Sequence, residues 1–246
     1  LLPPSSRPPV VVFNHGYLGS RLDLHPLLSA LAKRGIICVA PDYPESLSGP
    51  YDTSWSPEAA LTRVDILDAV LAHVGSSYPT TSGRVGLMGH SLGSGLASGY
   101  DAGDPRSPRC CIAGFRAVGD KAKDSDFLVV ASGGDSVCPS NFVMERVEDA
   151  RGNNAKVGGS GEVRGIFLDD FNHIDFLSAE TNDAMVEFLS PLLPIARTLK
   201  VPLLDFDKYA ESPKSRECLD AIEGEVVEFF SRHLFDETVS GDLKNT

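Results

Sequence analysis

Short apolar runs alternate with stretches of helical spacing along most of this 246-residue chain, and that alternation limits the possible folds more than any other feature. Residues 10–13 (VVVF), 36–40 (IICVA), 84–88 (RVGLM), 110–113 (CCIA), 127–132 (FLVVAS) and 163–168 (VRGIFL) read as strands. Most lack polar alternation, as strands covered on both faces of a parallel sheet do. Between them fall helical patterns at 24–34, from Ser56 onward, at 92–100 and at 215–234. Ser56 suits an N-cap and Pro57 the first helical position, with Ala60, Val64, Leu67, Leu71 and Val74 at helical spacing. Leu219, Ile222, Val226, Phe229 and His233 share one face of the terminal segment. The pattern predicts an α/β fold, with a mostly parallel sheet of about six strands and helices on both faces. Residues 1–9, rich in proline, predict an extended lead-in. Residues 10–246 predict one domain, since no repeat or long linker divides them. Residues 150–162 (ARGNNAKVGGSGE) read as a glycine- and asparagine-rich loop.

Composition narrows the function. With 34 acidic against 22 basic residues the net charge is −12, which repels phosphate backbones and argues against a nucleic-acid partner. Five cysteines are too few for a disulfide scaffold and odd in number, which favours reduced thiols and an intracellular or organellar setting. No apolar run approaches the roughly 18 residues of a membrane-spanning helix, so a soluble protein is expected. HExxH, CxxC and GxxxxGK motifs do not occur, and no cofactor or metal is expected. Adjacent Cys110 and Cys111 suit neither a zinc pair nor a mutual bridge. Asp169, Asp170 and Asp175 form either a calcium site or a solvated rim, and so few carboxylates favour the rim.

The sharpest motif is Gly89-His90-Ser91-Leu92-Gly93, entered from an apolar strand and left through a helix of small residues. A serine on that turn is held in a strained conformation with its hydroxyl exposed. It needs a base, itself oriented by an acid, to become a nucleophile. Asp135 lies just past the strand at 127–132, where ligand-binding residues of a parallel sheet collect. His173 lies beyond the strand at 163–168; of the other histidines only His233 also follows Asp135, and it reads as a packing residue. Ser91, Asp135, His173 is the chain order of α/β-hydrolases, with Asp169 or Asp170 as the alternative acid. Two oxyanion donors are expected: the backbone N–H groups of Leu92, after the nucleophile, and of Tyr17, in the His15-Gly16 turn after the first strand.

Together these elements resemble the α/β-hydrolase superfamily over residues 10–235. The segment VVVFNHGYLGSRLDLHPLLSALAKRGIICVAPDYPES is similar to its chlorophyllase, platelet-activating-factor acetylhydrolase and dienelactone-hydrolase-like branch. The loop Asp170-Phe171-Asn172-His173-Ile174-Asp175 is similar to the histidine loop of chlorophyllases. The resemblance implies a serine carboxylic-ester hydrolase working through an acyl-enzyme, on a small-molecule ester that is bulky and lipophilic. A chlorophyll-type phytyl ester is the sharpest candidate, with a plastid location and peripheral contact with lipid in that case. An acetylhydrolase or general lipase is the alternative, and a hydrolase-fold ligand-binding protein a third.

The connection 101–126 is too short for a large helical lid. Segment 43–57 is one candidate cover, its Tyr51 and Trp55 either lining the mouth or pinning the loop. Segment 176–202 is the other, where Leu189, Leu192, Leu193, Ile195 and Leu199 interleave with Pro191 and Pro194. It reads either as a cover converging on Ser91 or as a core helix kinked by proline.

Overall fold

The structure is a computed structural model and describes residues 8–46, 61–78, 85–116, 118, 122–192, 194, 195, 198 and 214–235. Six strands form one sheet: β1 (Val10–Asn14), β2 (Ile37–Val39), β3 (Val85–His90), β4 (Arg109–Ile112), β5 (Phe127–Ser132) and β6 (Val163–Leu168). The order is β2-β1-β3-β4-β5-β6, and every neighbouring pair is parallel. The helices that accompany it include α1 (His25–Lys33), α2 (Arg63–Ser77), α3 (Leu92–Gly99), α4 (Ser140–Val157), α5 (Ala179–Leu189) and α6 (Ser215–Leu234). This is the parallel α/β sheet that the alternation led us to expect, and the α/β-hydrolase architecture that the resemblance implied.

The two-residue period of a strand sorts side chains between two cores. Val11 and Phe13 of β1, with Met88, Ile112, Leu128 and Val130, pack against Leu27 and Leu31 of α1 and Ile222, Val226 and Phe230 of α6. Val10 and Val12 point the other way, joining Leu87, Leu67 of α2 and Ala97 of α3. On that second face Phe127, Val129 and Ala131 of β5 meet Val143, Val147 and Ala150 of α4. Arg109 of β4 is fully buried, and its guanidinium donates to the carbonyls of Ala97 (2.8 Å) and Tyr100 (2.7 Å), capping the carbonyl end of α3.

Two expectations need correction. α2 begins at Arg63, capped by Thr62 in a reciprocal capping box with Asp65, so the helix carrying Leu67 and Val74 starts seven residues after Ser56. Ser56, Pro57 and Ala60 lie outside the described residues, and Val64 is exposed. Residues 150–157 are not a loop but the second half of α4. Arg151 Nε donates to the Val163 carbonyl (2.8 Å), and Gly158 ends the helix at φ 67°. A Cβ on Gly152 would meet only open space; the glycine weakens the helix without breaking it.

β1 leads to β2 on one side and β3 starts the run on the other, so the strand order reverses between β1 and β3. Loops leaving the carboxyl ends of these two strands flank the crevice where α/β sheets bind ligands.

Candidate active site

Ser91 stands at that reversal, between β3 and α3, with φ 53° and ψ −118°. A non-glycine residue there costs on the order of 1–3 kcal/mol and persists only where its surroundings hold it. They do: Ser91 N–H donates to the Ile112 carbonyl of β4 at 2.9 Å, and Ser94 Oγ accepts from Ile112 N–H at 2.9 Å. The flanking glycines are sterically required. A Cβ on Gly89 would lie 2.2 Å from the Gly93 carbonyl oxygen, and one on Gly93 only 1.9 Å from that of Asn14.

The structure brings Ser91, His173 and Asp135 together. His173 Nε2 accepts from Ser91 Oγ at 2.9 Å, and its Nδ1–H donates to Asp135 Oδ2 at 2.8 Å. Asp135 is 3% and His173 7% exposed. The second oxygen of Asp135 accepts the N–H groups of Val137 (2.9 Å) and Cys138 (2.8 Å), which hold the carboxylate in place. Neither alternative acid contacts the imidazole through the bonds described: Asp170 pairs on the surface with Lys214 Nζ at 2.8 Å. Asp175 instead pins the histidine loop, accepting Asn172 N–H (2.9 Å) and Lys214 N–H (2.9 Å), and burial raises its carboxyl pKa. Among the described residues no three His, Cys, Asp or Glu side chains are grouped to hold a metal ion, no helix is long and apolar enough to cross a membrane, and all five cysteines are free.

His90, inside the serine motif, is buried beneath His173 with ring centroids 4.9 Å apart. Its Nε2–H donates to the His173 carbonyl at 3.2 Å. Burial, reinforced by His173, drives its pKa well below the usual imidazole value and keeps the ring neutral.

The loop after β1 lies against the serine: a Cβ on Gly16 would come within 3.2 Å of Ser91 Cβ. Asn14 Nδ2 donates to the Met88 carbonyl (3.1 Å), and Tyr43 OH donates to Asn14 Oδ1. His15 Nε2 accepts Tyr43 N–H at 2.9 Å, which leaves Nδ1–H to donate to the Gly16 carbonyl at 2.7 Å. Tyr17 and Leu92 both present exposed side chains, and Leu92 opens α3, where an N–H has no intrahelical acceptor.

Arg63, which the sequence reading did not single out, reaches this loop from the start of α2. Nη1 donates to the His15 carbonyl (2.7 Å) and Nη2 to the Gly16 carbonyl (2.9 Å). Nε donates to Glu45 (2.5 Å), and the guanidinium lies 4.2 Å from the centre of the Tyr43 ring. One signal was present: a cation in the first turn opposes the helix dipole, which marks the position as serving something else.

Beside the loop, Leu18 and Val137 pack on Ile174, Leu177, Met185 and Leu189. A cavity of about 450 Å³ opens there, lined by Leu18, Leu22, Ser178, Thr181, Ala184 and Met185 among others. Of the second candidate cover, α5 is a core helix whose Met185 and Leu189 are buried, followed by a short 3-10 turn (Ser190–Leu192) that contains Pro191. Leu192 and Ile195 are exposed rather than turned inward, while Leu193 and Leu199 lie outside the described residues, as do Tyr51 and Trp55.

Solved structures share the fold. An esterase from Pyrococcus furiosus, 16% identical, aligns with a TM-score of 0.54 over 94% of this chain and 84% of its own. A protein of unknown function from Agrobacterium tumefaciens, described as an alpha/beta hydrolase, is 17% identical with a TM-score of 0.55 over 80% and 88%. A serine hydrolase without a lid from Xanthomonas campestris is 18% identical with a TM-score of 0.50 over 79% and 83%. No curated protein matches the sequence. The model of the alpha/beta hydrolase family matches residues 10–228, nearly the whole described sheet and its helices, and the chain therefore belongs to that family.

Proposed function

We propose that the protein is a serine carboxylic-ester hydrolase with Ser91 as nucleophile, His173 as general base and acid, and Asp135 as the group that orients the imidazole. The observation that carries this reading is the unbroken line from Ser91 Oγ through both nitrogens of His173 to Asp135, at 2.9 and 2.8 Å. Ser91 Oγ attacks the ester carbonyl carbon as its proton passes to His173 Nε2. The carbonyl oxygen becomes an oxyanion and accepts the N–H groups of Tyr17 and Leu92, each such donor contributing about 2.7–4 kcal/mol in the transition state. The bond to the alcohol oxygen then breaks, and His173 returns the proton to that oxygen. Water, deprotonated by His173, cleaves the acyl-serine and restores Ser91. Asp135 keeps the proton of the resting imidazole on Nδ1, so that Nε2 is free to act.

For substrate we propose a bulky lipophilic ester, with a chlorophyll-type phytyl ester as the sharpest candidate. The support is the apolar side of the cavity beside the loop after β1, Leu18, Leu22 and Met185, together with the exposed side chains of Tyr17 and Leu92. The same surface suits peripheral contact with a lipid aggregate. The test is hydrolysis of p-nitrophenyl esters of rising chain length, with chlorophyll added, by wild type and Ser91→Ala. Ser91→Ala must be inactive, and kcat/KM must rise with chain length, since buried methylenes contribute about 0.8 kcal/mol each. A flat profile with an inactive Ser91→Ala leaves a generic esterase; an active Ser91→Ala removes the nucleophile.

A further inference from the structure

We infer that Arg63 is a positioning residue for the oxyanion donor: by holding the carbonyl of Gly16 it aims the N–H of Tyr17 and sharpens it as a hydrogen-bond donor. This rests on the reading of Ser91 as nucleophile and Tyr17 as donor.

Gly16 C=O and Tyr17 N–H belong to one planar trans peptide, so they point in opposite directions and cannot turn independently. No cis peptide interrupts the described chain. Whatever anchors the Gly16 oxygen therefore fixes the direction of the Tyr17 N–H. Three donors converge on that oxygen: Arg63 Nη2 at 2.9 Å, His15 Nδ1 at 2.7 Å and Gly19 N–H at 3.2 Å. The Gly19 bond closes the turn itself, and His15 is a neighbour on the same loop. Arg63 alone reaches in from a different element. It also grips the preceding peptide through the His15 carbonyl, at 2.7 Å, so two consecutive peptide planes hang from one rigid fork.

The fork is itself held. Glu45 takes its Nε at 2.5 Å and the Tyr43 ring lies 4.2 Å beneath it. Tyr43 is tied back to the loop through its N–H to His15 and its hydroxyl to Asn14. The arginine side chain is largely buried, 13% exposed, where screening by water is weak. A cation on the carbonyl of a peptide pulls electron density from its N–H, which strengthens that N–H toward an anion. The effect grows as charge develops on the substrate oxygen, so it belongs to the transition state and not to the bound ester.

The test is steady-state ester hydrolysis by the full chain, together with inhibition by a trifluoromethyl ketone, whose serine adduct carries the oxyanion. For Arg63→Ala we expect kcat to fall about 10- to 100-fold, less than for deleting a direct donor, with KM within about twofold. The inhibition constant of the ketone should rise by the factor that kcat/KM falls, and added methylguanidinium should restore part of kcat. Arg63→Lys keeps the charge without the fork, and should fall between wild type and Arg63→Ala in both readouts. It decides the matter alone if Arg63→Ala does not fold. A folded Arg63→Ala or Arg63→Lys with wild-type kcat and ketone affinity, or with a change in KM alone, overturns the inference. A wild type that is inert to esters and to a fluorophosphonate overturns the functional reading and this inference with it.

Discussion

At its first residue β5 starts beside Asp126, whose Oδ2 lies 3.0 Å from Nδ1 of His233; past its last residue Asp135 holds Nδ1 of His173 at 2.8 Å. The same strand thus has a histidine–carboxylate pair at each end. At the far end from Ser91 the side chains remain partly exposed, 22% for His233 and 28% for Asp126, and His233 leans on the Phe229 ring at 4.8 Å. At the other end Asp135 is wholly buried, and the second imidazole nitrogen meets a serine in a strained turn. The pair itself is therefore no signature of catalysis. What distinguishes the two is position at the carboxyl edge of the sheet and a serine hydroxyl bonded to the second imidazole nitrogen.

The largest effect separating the two ends is expected on turnover. Asp135→Asn should lower kcat by about 10⁴-fold, because the imidazole loses the tautomer it needs. Asp126→Asn should leave kcat within about twofold. Equal losses from both, measured on one p-nitrophenyl ester, would erase the distinction.

Next comes packing. Gly93→Ala drives a Cβ to 1.9 Å from the Asn14 carbonyl oxygen, backbone that cannot step aside, and should cost about 3 kcal/mol or more in urea unfolding. Gly152→Ala, in open space on α4, should stabilise the fold by about 0.5–1 kcal/mol. A tolerated Gly93→Ala would show that the elbow is loose.

A third carboxylate sharpens the contrast. Asp23 is as buried as Asp135, but among the described residues its carboxylate accepts only from Ser20, through N–H (2.8 Å) and Oγ (3.3 Å), and its other oxygen has no hydrogen bond. Burial raises its pKa to about 7. A carboxyl whose folded pKa lies above its unfolded value binds its proton more tightly when folded. Its stabilisation is complete below the unfolded pKa near 4 and is lost as pH rises to about 7. Relative to Asp23→Asn, wild type should lose up to roughly 1.4 kcal/mol per pH unit across that window and nothing further above it. Urea titrations of both proteins at pH 5, 6, 7 and 8 read this directly; a constant difference contradicts it.

Smallest is the structural pair. His233→Gln should cost about 1 kcal/mol of stability or less, with hydrolysis unchanged. A loss of activity would tie the far end of β5 to the site.

The parts of the fold legible in the sequence were those whose pattern is set by burial on both sides. The apolar runs of β1, β4 and β5 have one reading, and the serine motif between an apolar strand and a small-residue helix has hardly more. Boundaries set by local polar chemistry were less legible. α4 carries Gly152, Asn153 and Asn154, residues that favour turns, yet contacts of Val143, Val147 and Ala150 with β5 hold it helical. α2 opens at Arg63, behind its Thr62 cap, because Asp65 completes a capping box, while Ser56 and Pro57 offered another start in sequence. In the site, chain order brought out Ser91, Asp135 and His173. Arg63 stayed hidden because its partners are carbonyl oxygens 47 and 48 residues away, which carry no side-chain pattern.

The central claim is that Ser91 is activated where β5 places Asp135 and not merely exposed. Its most direct test is the rate of covalent labelling by a fluorophosphonate, with the modified residue mapped by peptide mass spectrometry. Wild type should label at Ser91 alone, Ser91→Ala should not label, and Asp135→Asn should label at least about 10²-fold more slowly while Asp126→Asn keeps the wild-type rate. Modification at another residue, or equal rates for the two aspartate variants, would contradict the account.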